Sequence, residues 1–237
     1  MDTLGKEELI RYARTIAVEE IGREGQARLR QASVLVVGCG ALGNIASAYL
    51  CGAGISRLAI ADFDTIDISN LQRQIMYTTP EVGERKSAVL ARRLRAMNPD
   101  VEVVEIDRMI RRDDAESLFR DYDFIIDGSD NPATKFMTSE VCCGLRKACC
   151  IGGVAGFKGQ LVTWTPGHTA FHELFGPQKD ATVLPCSMAG VIGPLPGIVG
   201  AMQAAEAIKH ITGAGETLAG RLLRIDLLTM DFKVFSL

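Results

Sequence analysis

The segment 34–50 constrains the fold more than any other part of the chain. Residues 34–37 are consecutively apolar, and they lead through a glycine-rich turn into small and apolar residues at helical spacing. This order is typical of a buried parallel strand, a phosphate-binding turn and a helix. Gly38, Gly40 and Gly43 form the pattern GxGxxG, which permits a tight turn, close approach to a phosphate, and close packing of helix on strand. The segment therefore predicts a nucleotide site at a helix N-terminus, and it leaves the nucleotide open.

Composition limits the classes of protein that need to be considered. The 237 residues, 47% of them hydrophobic, suit one large α/β domain with a C-terminal extension. A net charge of -3 argues against a general nucleic-acid surface. The acidic N-terminus does not resemble a secretory signal, and no apolar run is long enough to span a bilayer. We therefore expect a cytoplasmic protein with neither nucleic-acid nor membrane partners.

Polar residues follow two further predicted strands. The strand 57–62 ends in Asp62, nineteen residues after Gly43, where a dinucleotide fold places the acid that binds a ribose hydroxyl. A strand-end aspartate that caps the next turn is the alternative. The strand 122–127 leads to Asp130 and Asn131, and the polar segment 64–74 reads as a loop. Because carboxyl ends of parallel strands share one sheet edge, we expect these groups to border one crevice.

The remaining pattern predicts an α/β fold with a Rossmann-like, mostly parallel twisted sheet, helices on both faces, and C-terminal antiparallel strands. Residues 80–97 and 131–146 are predicted as helices, and residues 221–226 and 231–235 as a hairpin. We divide the single domain 1–237 into an N-terminal helical segment (1–31), a nucleotide-binding core (32–165), a crossover loop (166–185) and a C-terminal part (186–237).

Several separated motifs, in this order, resemble the MoeB/ThiF/HesA family, bacterial relatives of ubiquitin-activating enzymes. The resemblance covers nearly the whole chain. The motifs are the basic pair in 11–14, the loop 38–43, Asp62, the segment 69–73, Lys86, Asp130 with Asn131, the segment 190–194 and the helix 203–209. From charge alone, Lys86 and the basic pair would be ordinary solvated residues.

The resemblance implies adenylation of the C-terminal glycine of a ubiquitin-fold sulfur carrier by ATP and magnesium, with release of pyrophosphate. It implies catalytic roles for Arg14, Arg73, Lys86, Asp130 and Cys186, with Asp130 near magnesium. Arg14 matches an arginine that reaches into the neighbouring subunit's site, which implies a homodimer. The implied nucleotide-binding residues are Gly38, Gly40, Ala41, Gly43, Asp62, Ser69, Asn70, Leu71, Gln72, Arg73, Lys86, Asp130 and Asn131.

The chain also departs from the family. Members commonly bind zinc through two CxxC pairs, but the seven cysteines here form none, so we predict no zinc site. The rhodanese domain of some eukaryotic relatives is absent from this sequence, so a separate protein is expected to donate sulfur. Cys186 matches a cysteine that some members join covalently to the carrier, while an inert small residue is the alternative.

Two other functions remain open from the residues. A nicotinamide-dependent oxidoreductase would explain the glycine pattern and Asp62, but not the segment 69–73. A catalytically idle module that binds nucleotide and carrier without turnover is motivated by the missing zinc cysteines. The pair Arg73 and Lys86, two cations suited to a triphosphate, favours adenylation over the oxidoreductase. Failure to exchange pyrophosphate despite binding of ATP and carrier would favour the idle module.

Overall fold

The computed structural model describes residues 4–176 and 190–237, which contain one eight-stranded sheet. The strands are β1 (Ser33–Val37), β2 (Arg57–Ala61), β3 (Glu102–Ile106), β4 (Phe124–Asp127), β5 (Ala148–Ala155), β6 (Lys158–Trp164), β7 (Arg221–Asp226) and β8 (Asp231–Ser236). The helices are α1 (Lys6–Arg11), α2 (Ala13–Ile16), α3 (Gly22–Leu29), α4 (Gly43–Ala53), α5 (Lys86–Met97), α6 (Arg112–Arg120), α7 (Pro132–Leu145), α8 (Phe171–Leu174) and α9 (Pro194–Thr212).

The sheet has the order β3-β2-β1-β4-β5-β6-β7-β8. The strands from β3 to β5 pair in parallel, whereas β6, β7 and β8 pair antiparallel. From β1 the chain therefore adds β2 and β3 on one side. It then crosses back and adds β4 and the later strands on the other side of β1. Such a reversal opens a crevice at the carboxyl ends of the two central strands, which is where ligands bind in open α/β sheets. The predicted fold class and the C-terminal hairpin are confirmed.

Successive side chains of β1 point to opposite faces of the sheet, and helices cover both faces. Val34 and Val36 pack into one core with α4, α5 and α9, while Leu35 and Val37 pack into a second core with α6 and α7. All four side chains are at least 95% buried. A strand that is buried on both faces reads as a continuous apolar run, which is the feature visible in the sequence.

Some element boundaries differ from the sequence prediction. The helix predicted from Pro80 begins at Lys86, because Gly83 has a φ of 93° and Arg85 is extended. A short 3-10 helix, Thr79–Glu81, precedes it. Within the predicted crossover loop, Phe171–Leu174 is helical, and residues 177–185 lie outside the described part of the chain. The late start of α5 puts Lys86 on the first helical turn.

Candidate nucleotide-binding site

A cavity of about 440 Å³ lies at the carboxyl ends of the parallel strands, across the point where the strand order reverses. It is lined by the loop after β1, the ends of β2 and β4, the segment after β2, and the β5 end. Of the predicted nucleotide-binding residues, it brings together Gly38, Gly40, Ala41, Asp62, Ser69, Gln72, Arg73, Lys86, Asp130 and Asn131.

The three glycines of the loop have different surroundings. Gly38 has a φ of 92°, and a Cβ there would lie 3.0 Å from the backbone nitrogen of Ser129. A Cβ on Gly43 would lie 1.7 Å from the carbonyl oxygen of Gly38. A Cβ on Gly40 would contact only Gln74 Nε2, at 3.8 Å. The protein's own packing therefore requires glycine at 38 and 43, whereas Gly40 faces open space in the cavity and Gly43 lies behind its wall.

Asp62 joins the end of β2 to the glycine loop. Its carboxylate accepts hydrogen bonds from the backbone nitrogen of Cys39 at 2.7 Å and from that of Asp64 at 2.8 Å. Burial raises the pKa of Asp62, although both hydrogen bonds oppose the rise. Asp62 thus caps the next turn and also lines the cavity, so the two alternatives from the sequence are compatible.

Two of the cations that line the cavity, Lys86 and Arg73, follow β2 in the chain. Lys86, whose side chain is 8% exposed, donates from Nζ to Asp64 Oδ2 at 2.9 Å, and its backbone nitrogen donates to the Asp64 carbonyl at 3.0 Å. Arg73 is half-buried and donates from Nη1 to the Ser69 carbonyl at 3.0 Å. Both can turn toward an anion in the cavity, because each guanidinium or ammonium group has further donors.

The end of β4 holds a buried ion pair that sequence reasoning missed. Asp127 is completely buried, and its Oδ1 lies 3.2 Å from Nζ of Lys135, a residue of α7. Thr138 donates to the second carboxylate oxygen at 2.8 Å, and Ser129 donates to the first from both its nitrogen and its hydroxyl. Lys135, Thr138 and Cys142 recur at helical spacing on the buried face of α7, which is the sequence signal that could have identified them.

The loop after β4 carries Asp130 and Asn131 to the cavity. The Asn131 side chain accepts from the backbone nitrogen of Ala133 at 2.8 Å and so caps α7. Asp130 is exposed and lines the cavity. A carboxylate in this position suits Mg²⁺, which is usually bound by one or two carboxylates together with substrate phosphates.

Three other predicted residues in the described part of the chain are not part of the cavity wall. Asn70 accepts from the backbone nitrogen of Asp67 at 3.3 Å, and Leu71 packs against the core on the α4 side of the sheet. Arg14 is exposed on α2, outside the cavity. Cys186 lies outside the described residues. Within this chain, the structure thus separates Arg14 from the other predicted catalytic groups that it describes.

Two kinds of feature are absent from the part of the chain that the structure describes. Residues 4–176 and 190–237 contain no cluster of three or more histidine, cysteine, aspartate or glutamate side chains arranged to hold a metal ion. The absence of zinc stays a prediction. No helix in the same ranges combines the length and the apolar character needed to cross a membrane.

Known proteins are similar to this chain in sequence and in fold. A sulfur carrier protein adenylyltransferase of Thermus thermophilus is 39% identical over 237 residues, which is 96% of this chain and 87% of the relative. A probable molybdopterin-synthase adenylyltransferase of Porphyra purpurea is 38% identical, over 99% of this chain but 62% of the relative. The crystal structure of E. coli MccB with ATP superposes with a TM-score of 0.81 at 22% identity, over 95% of this chain and 70% of that one.

The sequence of residues 12–237 matches the ThiF family. This range covers nearly the whole chain, including every element of the sheet and the complete wall of the cavity. The chain belongs to the ThiF family.

Proposed function

We propose that this protein uses ATP to adenylate the C-terminal glycine of a ubiquitin-fold sulfur carrier and releases pyrophosphate. The observation that carries the proposal is the arrangement of one crevice, in which the glycine loop, the strand-end acid Asp62 and the cations Lys86 and Arg73 line the same cavity. A nicotinamide-dependent oxidoreductase needs no pair of cations beside the phosphate loop, so Lys86 and Arg73 favour adenylation.

The chemistry suits these residues. A carboxylate oxygen of the carrier attacks the α-phosphorus of ATP, the bond between the α-phosphorus and the bridging oxygen breaks, and its electron pair leaves with pyrophosphate. The nucleophile is already ionised, so no general base is needed. Because two anions must meet, catalysis depends on cations and on positioning.

Each group in the cavity has a role in this proposal. Asp62 accepts a hydrogen bond from a ribose hydroxyl, and the loop at Gly40 lets backbone approach the phosphates. Lys86 and Arg73 neutralise the negative charge of the triphosphate, including the charge that develops on the leaving pyrophosphate. Asp130 would hold magnesium, which supplies further neutralisation of phosphate charge when bound.

The relatives support the substrate class. The Thermus protein is named a sulfur carrier protein adenylyltransferase, and a relative in Haloferax volcanii, 36% identical, is named a SAMP-activating enzyme E1. We infer that the carrier ends in Gly-Gly and serves thiamine, molybdopterin or related sulfur-transfer biosynthesis in the cytoplasm. We also propose a homodimer in which Arg14 of one subunit completes the other's site, and a separate protein as sulfur donor.

Exchange of pyrophosphate into ATP tests the proposal directly. Exchange is measured with magnesium and with candidate carriers that end in Gly-Gly, and each carrier is compared with a version that lacks the two glycines. We expect exchange that depends on the intact tail. ATP binding with no exchange for any carrier would contradict the proposal and favour the idle binding module.

A further inference from the structure

Lys135 reaches the bottom of the cavity but has no capacity left for a ligand. Its ammonium group has three protons, and three acceptors surround it: the Asp127 carboxylate, the Ser129 carbonyl and, at 2.7 Å, the Gly152 carbonyl. The residue is only 9% exposed. A lysine in these surroundings holds protein groups in place and does not bind phosphate.

These three acceptors belong to separate parts of the site. Asp127 ends β4, Ser129 begins the loop that carries Asp130, and Gly152 lies on β5. Lys135 therefore ties the Asp130 loop to two neighbouring strands. A second side chain supports the same strand end, since Gln203 of α9 donates from Nε2 to the Asp127 carbonyl at 2.7 Å.

The tied loop lies directly against the glycine loop. The backbone nitrogen of Ser129 would be 3.0 Å from a Cβ on Gly38, which leaves little space between the two loops. Asp130 itself is exposed, so the backbone around it determines where its carboxylate lies. A shift of residues 128–130 would therefore move Asp130 relative to the glycine loop at Gly38.

We propose that Lys135 is a positioning residue that fixes Asp130 at the distance from the glycine loop that adenylation requires. The proposal rests on the adenylation function proposed above. It predicts that loss of the three hydrogen bonds changes the rate of the reaction and the contribution of magnesium, while metal-free ATP binding stays the same.

The test replaces Lys135 by methionine, which has similar length and no donors. We expect K135M to lower the exchange rate at saturating ATP by about 100-fold, the cost of misplacing a catalytic group by about 1 Å. Calorimetry should show unchanged ATP affinity without magnesium, and loss of the tightening that magnesium gives to the wild type. Lys147→Met is the matched control, because Lys147 Nζ donates to the Tyr122 carbonyl near the opposite end of β4, at 2.9 Å.

A double-mutant cycle separates positioning from a general loss of structure. If Lys135 acts through Asp130, K135M should have little further effect in an Asp130→Asn background. Fully additive losses, or an unchanged rate and magnesium response in folded K135M, would overturn the proposal. If K135M alone does not fold, the D127N/K135M variant removes both buried charges together and is expected to show the same losses.

Failure of the proposed function gives a different pattern. Wild-type protein without exchange for any carrier would refute adenylation, and the magnesium-dependent ATP affinity of wild type and K135M would still decide the role of Lys135. If the ATP affinity of wild type and of K135M then depended equally on magnesium, the proposed role of Lys135 would be overturned.

Discussion

The two sides of the crevice use charged residues differently. On the β2 side, the structure gives Lys86 Nζ one acceptor, the carboxylate of Asp64, which is 49% exposed. On the β4 side, Lys135 Nζ has three acceptors, and its partner Asp127 is completely buried. Both lysines are largely buried, so burial does not distinguish them. The number of their hydrogen-bond partners does.

This difference fits the roles proposed for the two lysines, Lys86 as a group that meets a ligand and Lys135 as a group that positions others. Lys86 has donors to spare, and its present partner is an exposed carboxylate whose attraction is screened by water. The buried pair at β4 gives no such freedom, since removing either partner would leave an uncompensated charge in the interior. Lys86 can therefore turn to phosphate, whereas Lys135 stays with the protein.

The largest expected effect is on the β2 side. Lys86→Ala or Arg73→Ala should lower carrier-dependent exchange by about 100-fold or more, as expected when one preorganised charge-stabilising donor is removed. Arg92→Ala is the control, because Arg92 lies on the same helix as Lys86 but pairs with Glu81 and Glu84, outside the cavity. Normal rates in both cavity variants would remove the distinction between the two sides.

A second prediction concerns Asp62. Asn at this position replaces one acceptor by an NH₂ group that faces a backbone N–H, of Cys39 or of Asp64. The proposed hydrogen bond from a ribose hydroxyl to the charged carboxylate of Asp62 is then disturbed. Loss of a hydrogen bond to a charged group weakens binding by roughly 10- to 100-fold, and we expect ATP affinity measured by calorimetry to fall by this factor.

The pH dependence of ATP binding sharpens the assignment of Asp62. Because burial raises its pKa, protonation begins at a higher pH than in an ordinary aspartate. ATP affinity should therefore fall as the pH is lowered through the raised pKa, and this fall should be absent from Asp62→Asn. If ATP affinity showed the same acid dependence in the wild type and in Asp62→Asn, a group other than Asp62 would be responsible for it.

A smaller and more selective effect is expected from the glycines. Gly40→Ala should weaken ATP binding by about tenfold, or 1.4 kcal/mol, because its methyl group occupies space above the loop. Its free energy of unfolding should change by less than about 1 kcal/mol. Gly43→Ala should instead destabilise the protein by about 3 kcal/mol, because its Cβ collides with the Gly38 carbonyl. Equal thermal stability of the two variants would contradict this division.

The smallest expected effect is at Cys186. Cys186→Ala should leave pyrophosphate exchange unchanged, because a thiol that joins the carrier covalently would act only after adenylation has activated the carrier's carboxylate. Mass spectrometry of the carrier reaction tests the later step. Loss of exchange in a folded variant would show that our order of steps is wrong.

The sequence by itself determined the strand, glycine turn and helix at 34–50, and with them the parallel sheet. It did so because these signals are local: an apolar run, glycine spacing and helical periodicity are properties of neighbouring residues. The polar ends of β2 and β4 were likewise visible in the sequence. Asp62, Asp130 and the loop that carries Arg73 could thus be assigned to one crevice from the sequence pattern, whereas Lys86 was assigned there only by the resemblance to the family.

Only the tertiary structure decided how these residues are held. In the sequence, Lys135 is an ordinary lysine in a helix, and Gly152 and Gln203 are distant from it. Their contacts arise because β4 and β5 lie side by side while α7 and α9 cover opposite faces. Hydrogen bonds to buried carbonyls depend on which strands become neighbours, and local patterns do not encode that choice. The chain's motifs thus identify its reactive groups, and packing determines where those groups lie.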